Sequence, residues 1–342
     1  MKICLIAPPL LDVPPKTYGG LERVVWDLAC GLTKLGHEVD LVATIGSREP
    51  PGGRLIPTVK APERADVDWL ACEVEAFNRY RDEVAGGGYD IVHDNTWFFL
   101  PYNIPNMRVV HTHHSWLNGF KKPVEKPCLV GISKFHAMSM ANHLFGTVWR
   151  WCYNPVNPEN YPFQRDKGDY LLFVGRIDRI KAPHYCVEIA RRAGMKLVVA
   201  GGTFVLDKEY VRLVKHLCEK NNFTFLPDIT EERKVELMQN AAAVLFTPCY
   251  PFQEPFGLVA VEAALCGTPV IAFYNGATPE VVYQGVSGYL VSDIDDAVAV
   301  IRAGGLAEIK PEECRAWGGN FSPENIAAMY LKLYRQAVEN PW

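Results

Sequence analysis

Lys2-Ile3-Cys4-Leu5-Ile6-Ala7, followed at once by Pro8-Pro9, is a short apolar run of β-forming residues stopped by two imino acids. It reads as a buried parallel strand. A proline-rich loop follows and closes at Gly19-Gly20. Over residues 22–35 the apolar side chains Val24, Val25, Leu28, Leu32 and Leu35 recur at helical spacing, and Gly36 supplies the stop. Residues 38–43 read as a second strand. Strand, loop, helix, strand is the opening unit of a doubly wound α/β domain.

Residues 90–93, 108–112 and 128–132 continue the strand pattern. After Asn154-Pro155-Val156-Asn157-Pro158 and a charged stretch at 164–169 the alternation starts again. Strands are expected at 170–174, 196–200, 223–226, 243–246 and 269–273, with helices at 183–194, 208–221 and 230–240. The fold class is therefore α/β, with two Rossmann-like domains joined near residues 155–168. A last helix over 323–338 comes after the second domain is complete.

At 342 residues the chain has room for two such domains. With 49% hydrophobic and 22% charged residues and a net charge of -4, it is globular and weakly acidic, which argues against a nucleic-acid partner. The 10 cysteines form no CxxC pair. Cys4, Cys128, Cys186, Cys218 and Cys266 stand in apolar or helical contexts, as reduced core thiols of a cytoplasmic protein would. The opening apolar run is too short and too proline-broken for a signal peptide, and no run approaches a membrane span. A cytoplasmic location is expected, with a peripheral contact at the inner membrane face left open. No Gly-x-Gly-x-x-Gly and no Gly-Lys pair occurs, so dinucleotide and P-loop readings lose their main support.

The chemistry concentrates in Glu254-Pro255-Phe256-Gly257-Leu258-Val259-Ala260-Val261-Glu262. Residues 258–266 are good helix formers and Gly257 is a natural entry point. A helix starting there offers free N–H groups and a positive dipole end to an anion. Glu254 precedes that end. Glu262 lies one to two turns in, and its side chain leans back toward the N-terminus. A phosphate needs such donors, and sugar hydroxyls need carboxylates, so the segment suits a nucleotide sugar.

Gly19-Gly20-x-Glu22-Arg23, Gly175-Arg176-x4-Lys181, Glu254-Pro255-Phe256-Gly257-Leu258-x3-Glu262 and Cys266-Gly267-Thr268-Pro269-Val270-Ile271-Ala272 stand in this order. Gly276-x3-Glu280-Val281-Val282 and Gly285-x2-Gly288-Tyr289-Leu290-Val291 follow. Each motif is weak alone, but the ordered set is specific, and it resembles the retaining glycosyltransferases of family 4. Residues 48–88 and 115–165 are the least typical.

The resemblance implies the GT-B fold, two Rossmann-like domains facing across a cleft. Residues 1–160 would form the acceptor side, with a helix at 323–342 packing back on it, and residues 161–322 the donor side. It implies a hexosyltransferase that moves a sugar, with retention, from a nucleotide-diphosphate sugar: UDP-glucose first, GDP-mannose second. No cofactor and no metal are implied. The acceptor would be a lipid, a glycan or a small metabolite. Gly19 and Gly20, Arg176, Lys181, Glu254, Phe256, Gly257, Leu258, Val259 and Glu262 would bind the donor. His114, Arg176, Lys181 and Glu254 would be catalytic. Arg176 and Lys181 would meet the charge that develops on the departing diphosphate. Glu254 would accept from sugar hydroxyls, Glu262 from the ribose, and the β-phosphate would take the acceptor's proton.

His111-Thr112-His113-His114 ends a strand. The family's Thr-x-His spacing selects His114, with His113 the alternative, because a one-residue shift changes the face. His93 is split evenly between a cleft-facing and a structural place. Lys16 and Glu22 read as solvated surface charges. Asp293-Ile294-Asp295-Asp296 matches a metal signature of another fold, but helix capping explains it better. Glu280 is left structural or ribose-near. Lys121, Lys122 and Lys126 with Trp116, Phe120, Trp149 and Trp151 read as a charged loop with buried aromatics, against an interfacial patch for a lipid acceptor. Two other function classes compete. One is a nucleotide-sugar epimerase or a phosphorylase on the same fold, the latter needing a pyridoxal-bearing lysine. The other is a non-catalytic nucleotide-sugar-binding protein.

Overall fold

The computed structural model describes residues 1–16, 19–62, 67–116, 123–143 and 147–342. They fall into two compact units, Met1–Val156 with Phe321–Trp342, and Asn157–Asn320. The sequence placed the corresponding boundaries at 160/161 and 322/323.

The first unit runs β1 (Lys2–Ile6), α1 (Gly20–Lys34), β2 (Glu38–Ala43), β3 (Leu55–Pro57), α2 (Trp69–Gly86), β4 (Ile91–Asp94), β5 (Val109–His113), β6 (Leu129–Gly131), α3 (Lys134–His143) and β7 (Trp149–Trp151). Its strands lie in the order β3-β2-β1-β4-β5-β6-β7, and every pair is parallel. Successive side chains of a strand point to opposite faces. Ile3 and Leu5 therefore pack with Val25, Leu28 and Leu32 of α1, while Cys4 and Ile6 pack with Tyr80 and Val84 of α2. Burial on both faces is why β1 is apolar from Ile3 to Ile6 rather than alternating.

The second unit runs β8 (Tyr170–Val174), α4 (Pro183–Ala193), β9 (Lys196–Gly201), α5 (Lys208–Lys220), β10 (Thr224–Pro227), α6 (Glu231–Asn240), β11 (Ala243–Phe246), α7 (Leu258–Leu265), β12 (Val270–Phe273), α8 (Thr278–Val281), β13 (Gly288–Val291), α9 (Ile294–Arg302), α10 (Gly305–Glu308) and α11 (Pro311–Gly318). Its strand order is β10-β9-β8-β11-β12-β13, again parallel. The last helix, α12 (Pro323–Glu339), belongs to the first unit, where Ile326, Tyr330 and Tyr334 join the core of β1 and α1.

Both sheets have the Rossmann order. The strand order reverses beside the first strand, between β1 and β4 in one unit and between β8 and β11 in the other. Open α/β sheets take ligands outside the carboxyl ends of the strands at such a point. The loops after β8 and β11 carry Arg176, Lys181, Glu254 and Gly257.

Eight elements were not expected from the sequence: β3, α2, α3 and β7 in the first unit, and α8, β13, α10 and α11 in the second. β3 and β7 span only three residues each. In α2, Trp69, Leu70 and Val74 are exposed, so its apolar residues do not gather on the buried face. Leu35, placed on the buried face of the first helix, is its C-cap and is 41% exposed, because the helix ends at Lys34.

Candidate active site

In the second unit, Asp178 organises the β8–α4 connection. Its Oδ1 accepts from the Lys181 backbone N–H at 2.9 Å, and its Oδ2 lies 3.3 Å from an Arg176 guanidinium nitrogen. One carboxylate thus sets the main chain of one cation and the side chain of the other. Arg176 keeps 44% of its side chain exposed. The Thr247 hydroxyl, just past β11, lies 3.2 and 3.3 Å from the carbonyl oxygens of Lys181 and Ala182.

The Lys181 ammonium is paired with the Glu254 carboxylate. It also lies 5.2 Å from the ring centroid of Phe252 and 5.7 Å from that of Phe246. Glu254 is only 5% exposed. Its main chain is held at both ends: its N–H donates to Asn275 Oδ1 at 3.0 Å, and its carbonyl accepts from Ala277 N at 2.8 Å. Gly276 makes this possible. It has φ 61°, and a Cβ there would lie 2.3 Å from the Glu254 carbonyl oxygen. The motif at Gly276 therefore braces Glu254 from behind.

Gly257, at φ 101°, caps α7, and any Cβ on it would strike the Phe246 ring at 2.9 Å. Phe256 beside it is buried. Leu258 and Val259 form the first turn, whose N–H groups an α-helix leaves without intrahelical partners.

Glu262 is buried in the body of α7 with partners of its own. Its Oε1 accepts from the Tyr161 hydroxyl at 2.8 Å and its Oε2 from Lys234 Nζ at 3.0 Å. Lys234 also pairs with Glu231 at 2.6 Å. Burial alone would lower the Lys234 ammonium's pKa, yet the carboxylates of Glu262 and Glu231 hold it above the usual lysine range. Nothing in the residue pattern marked Tyr161 or Lys234. Asp178 and Asn275 were visible only as neighbours of motif residues.

In the first unit, Gly19 is the N-cap of α1 and Gly20 its first residue. Gly19 has an extended φ, and its need for glycine is steric: a Cβ would lie 2.7 Å from Pro15 Cβ. Glu22 corrects the surface reading. It is 6% exposed, and burial raises its carboxyl pKa, because the side chain leans back from the first turn toward Gly19. Lys16 is exposed.

His113 ends β5 inside the unit, 1% exposed, with its Nδ1 3.2 Å from His111 Nε2. His111 in turn meets Asp94 Oδ2 at 2.7 Å. His114 lies just beyond the strand, partly exposed, with its Nε2 3.0 Å from Asn95 Oδ1. Burial lowers its pKa well below the ordinary value, and the nearby rings of His93, His111 and His136 add to the shift. His93 is structural. Its Nε2 lies 2.7 Å from Thr112 Oγ1 and its Nδ1 2.7 Å from the Tyr334 hydroxyl.

Asp293 caps α9, its Oδ1 accepting from Asp296 N at 3.0 Å, and Asp295 pairs with Arg192. Glu280 lies in the first turn of α8. Of the aromatic cluster, Trp116 packs against His136 and Trp149 against the core around Phe99, Leu129 and Met140, while Trp151 is 37% exposed. Phe120, Lys121 and Lys122 lie outside the described residues. All ten cysteines are thiols, and the five singled out above are buried. Among the described residues no helix is long and apolar enough to cross a membrane.

Two family models match the chain in series: Glycosyltransferase Family 4 over residues 18–154 and Glycosyl transferases group 1 over residues 160–320. The chain belongs to glycosyltransferase family 4. A D-inositol 3-phosphate glycosyltransferase of Mycobacterium marinum is 34% identical over 187 residues, which is 51% of this chain and 40% of that protein. The chain thus spans well under half the length of that relative. Among solved structures, AviGT4, a glycosyltransferase involved in avilamycin A biosynthesis, superposes with TM-score 0.78 at 25% identity, covering 99% of this chain and 98% of that one. The Anabaena protein Alr3699/HepE, in complex with UDP and glucose, superposes with TM-score 0.70 at 16% identity, covering 97% and 98%. These neighbours share the GT-B fold of two Rossmann-like domains.

Proposed function

We propose that the chain transfers a hexosyl group from a nucleotide-diphosphate sugar to a hydroxyl of an acceptor, with retention and without a metal. The observation that carries this reading is the convergence of Lys181 and Glu254 from the loops after the two central strands of the second sheet. Their loops bring together a cation for a diphosphate, a carboxylate for sugar hydroxyls and, at Gly257, a helix N-terminus. Arg176, tethered through Asp178, is the second cation. Together the two would meet the charge developing on the leaving diphosphate, which is the work a divalent ion does elsewhere. Glu262 keeps unused lone pairs beyond those given to Tyr161 and Lys234, and these would take ribose hydroxyls. In the first unit, Gly19 and Gly20 are the donor-binding candidates and His114 the catalytic one.

UDP-glucose is the donor to test first and GDP-mannose second. The solved Anabaena complex with UDP and glucose supports that order. The acceptor is a hydroxyl compound. The mycobacterial relative makes an inositol phosphate one member of the panel, beside glycans, small metabolites and lipids. Incubation of each donor with the panel, in the presence of a chelator, tests the reading. Product with the donor's anomeric configuration is expected. Epimerised donor without transfer, or binding without turnover, would replace it with one of the rival classes.

A further inference from the structure

His114 follows β5, and Asn95 follows the neighbouring strand β4. The two side chains meet at 3.0 Å, His114 Nε2 against Asn95 Oδ1. The amide's orientation is set from its other end. Asn95 Nδ2 lies 3.4 Å from the His93 carbonyl oxygen, and turning the amide over would place two oxygens against each other there. His93 itself cannot shift to relieve this, because Thr112 and Tyr334 hold both of its ring nitrogens. Asn95 is 1% exposed, so water does not compete for its amide. With a carbonyl oxygen facing it, His114 satisfies the contact only by donating from Nε2. A neutral imidazole has one N–H, so Nδ1 keeps its lone pair. No described residue hydrogen-bonds to Nδ1.

We infer that Asn95 is a positioning residue that holds His114 in its Nε2–H form, so that His114 meets a sugar hydroxyl at Nδ1 as a hydrogen-bond acceptor. The inference rests on the reading of His114 as a catalytic residue beside the transferred sugar. It fixes a direction that reading leaves open: the hydroxyl donates and the ring accepts. A substituent that can only accept therefore has no bond to make with this ring.

Two measurements on the full chain test it. The first is 15N NMR of the histidine-labelled protein near neutral pH. It is expected to give a protonated Nε2 and an unprotonated Nδ1 for His114. Asn95→Ala is expected to replace this single form by exchange between the two. Asn95→Asp, which keeps the accepting oxygen, is expected to restore it. A proton on Nδ1 of the native protein would overturn the inference without touching the donor site at Glu254.

The second measurement uses sugar donors in which one hydroxyl at a time is replaced by hydrogen or by fluorine. At one position both replacements are expected to lower kcat/KM by about tenfold, the worth of one neutral hydrogen bond. His114→Ala is expected to abolish that penalty. Recovery of activity by fluorine would mean that the ring donates, and the inference would fall. If His114→Ala changes the response at no position, the accepting role is overturned, while the variants at Lys181 and Glu254 decide the donor site separately.

Discussion

Lys181 and Glu254, 73 residues apart in sequence, form a largely buried ion pair between the loops that follow the two central strands of the second sheet. Each would have a task in the reaction, the ammonium at the diphosphate and the carboxylate at the sugar. Each also neutralises the other inside the unit. Removing one strands a charge that burial makes costly, about 3–5 kcal/mol for such pairs. Lys181→Ala and Glu254→Ala are each expected to lower the urea midpoint markedly, and the double variant to lose less than the sum. Additive losses in the double-mutant cycle would show that the pair does not couple.

Activity separates Arg176 from this stabilising role. Its side chain is half open to solvent, so Arg176→Ala is expected to leave the unfolding midpoint close to native. The same change is expected to cut kcat by about 100-fold or more, as loss of a group that stabilises transition-state charge does. Near-native turnover would remove Arg176 from the chemistry.

Tyr161 and Lys234 bear on a different step. They fix the carboxylate of Glu262, so their loss is expected to loosen ribose binding more than the transfer step. Tyr161→Phe removes one hydroxyl and no charge. It is expected to raise the donor KM several-fold with kcat within about twofold, because uniform binding is lost. It is also expected to narrow the preference for a ribonucleotide over its deoxy analogue. An unchanged preference would detach Glu262 from the ribose.

Much of this arrangement was legible in the sequence. The strand–helix alternation stood out because both sheets are parallel and buried, so β1 and β8 are apolar over their last four residues. Gly257 and Glu254 could be read because a helix start leaves a local signature. Asp178, Asn275, Tyr161 and Lys234 could not, since each acts through a partner brought near only by the fold. Tyr161 and Glu262 are 101 residues apart. Residue pattern also could not separate His113 from His114. The alternation of β5 turns His111 and His113 to one buried side, and His114 lies just past the strand end, off that side. Glu22 misled because a charged residue in a first helical turn is ordinarily solvated, and here it folds back under Gly19.

The buried histidines give a pH dependence of known sign. Burial is the main cause that lowers the His93 pKa from 6.5 to about 3, with Asp94 opposing and His111 adding to the shift. His136 falls to about 4, again through burial. Below pH 6.5 the unfolded chain takes up protons that the native rings refuse. Their contribution is therefore complete above pH 6.5 and is lost as pH falls toward these values, at up to about 1.4 kcal/mol per pH unit for each ring. Glu73 runs the other way. Burial, with Asp94 adding, raises its carboxyl to about 8, so its contribution is present below pH 4.5 and fades as pH rises through 8. Comparison with a variant isolates one ring. Between pH 6.5 and 4.5 the urea midpoint of His93→Gln is expected to fall less steeply than that of the native chain. Parallel slopes would show that His93 titrates normally in the folded state.

The proposed donor site on the second unit is tested most directly by the thermal unfolding of the native chain with UDP-glucose, GDP-mannose and the parent nucleotides, chelator present. A ligand that binds only the folded state at about 100 times its Kd adds about 2.7 kcal/mol, a shift of several degrees. The expected result is a concentration-dependent rise in Tm with at least one nucleotide sugar, strongly reduced in Arg176→Ala. No shift with any nucleotide or nucleotide sugar would contradict the account.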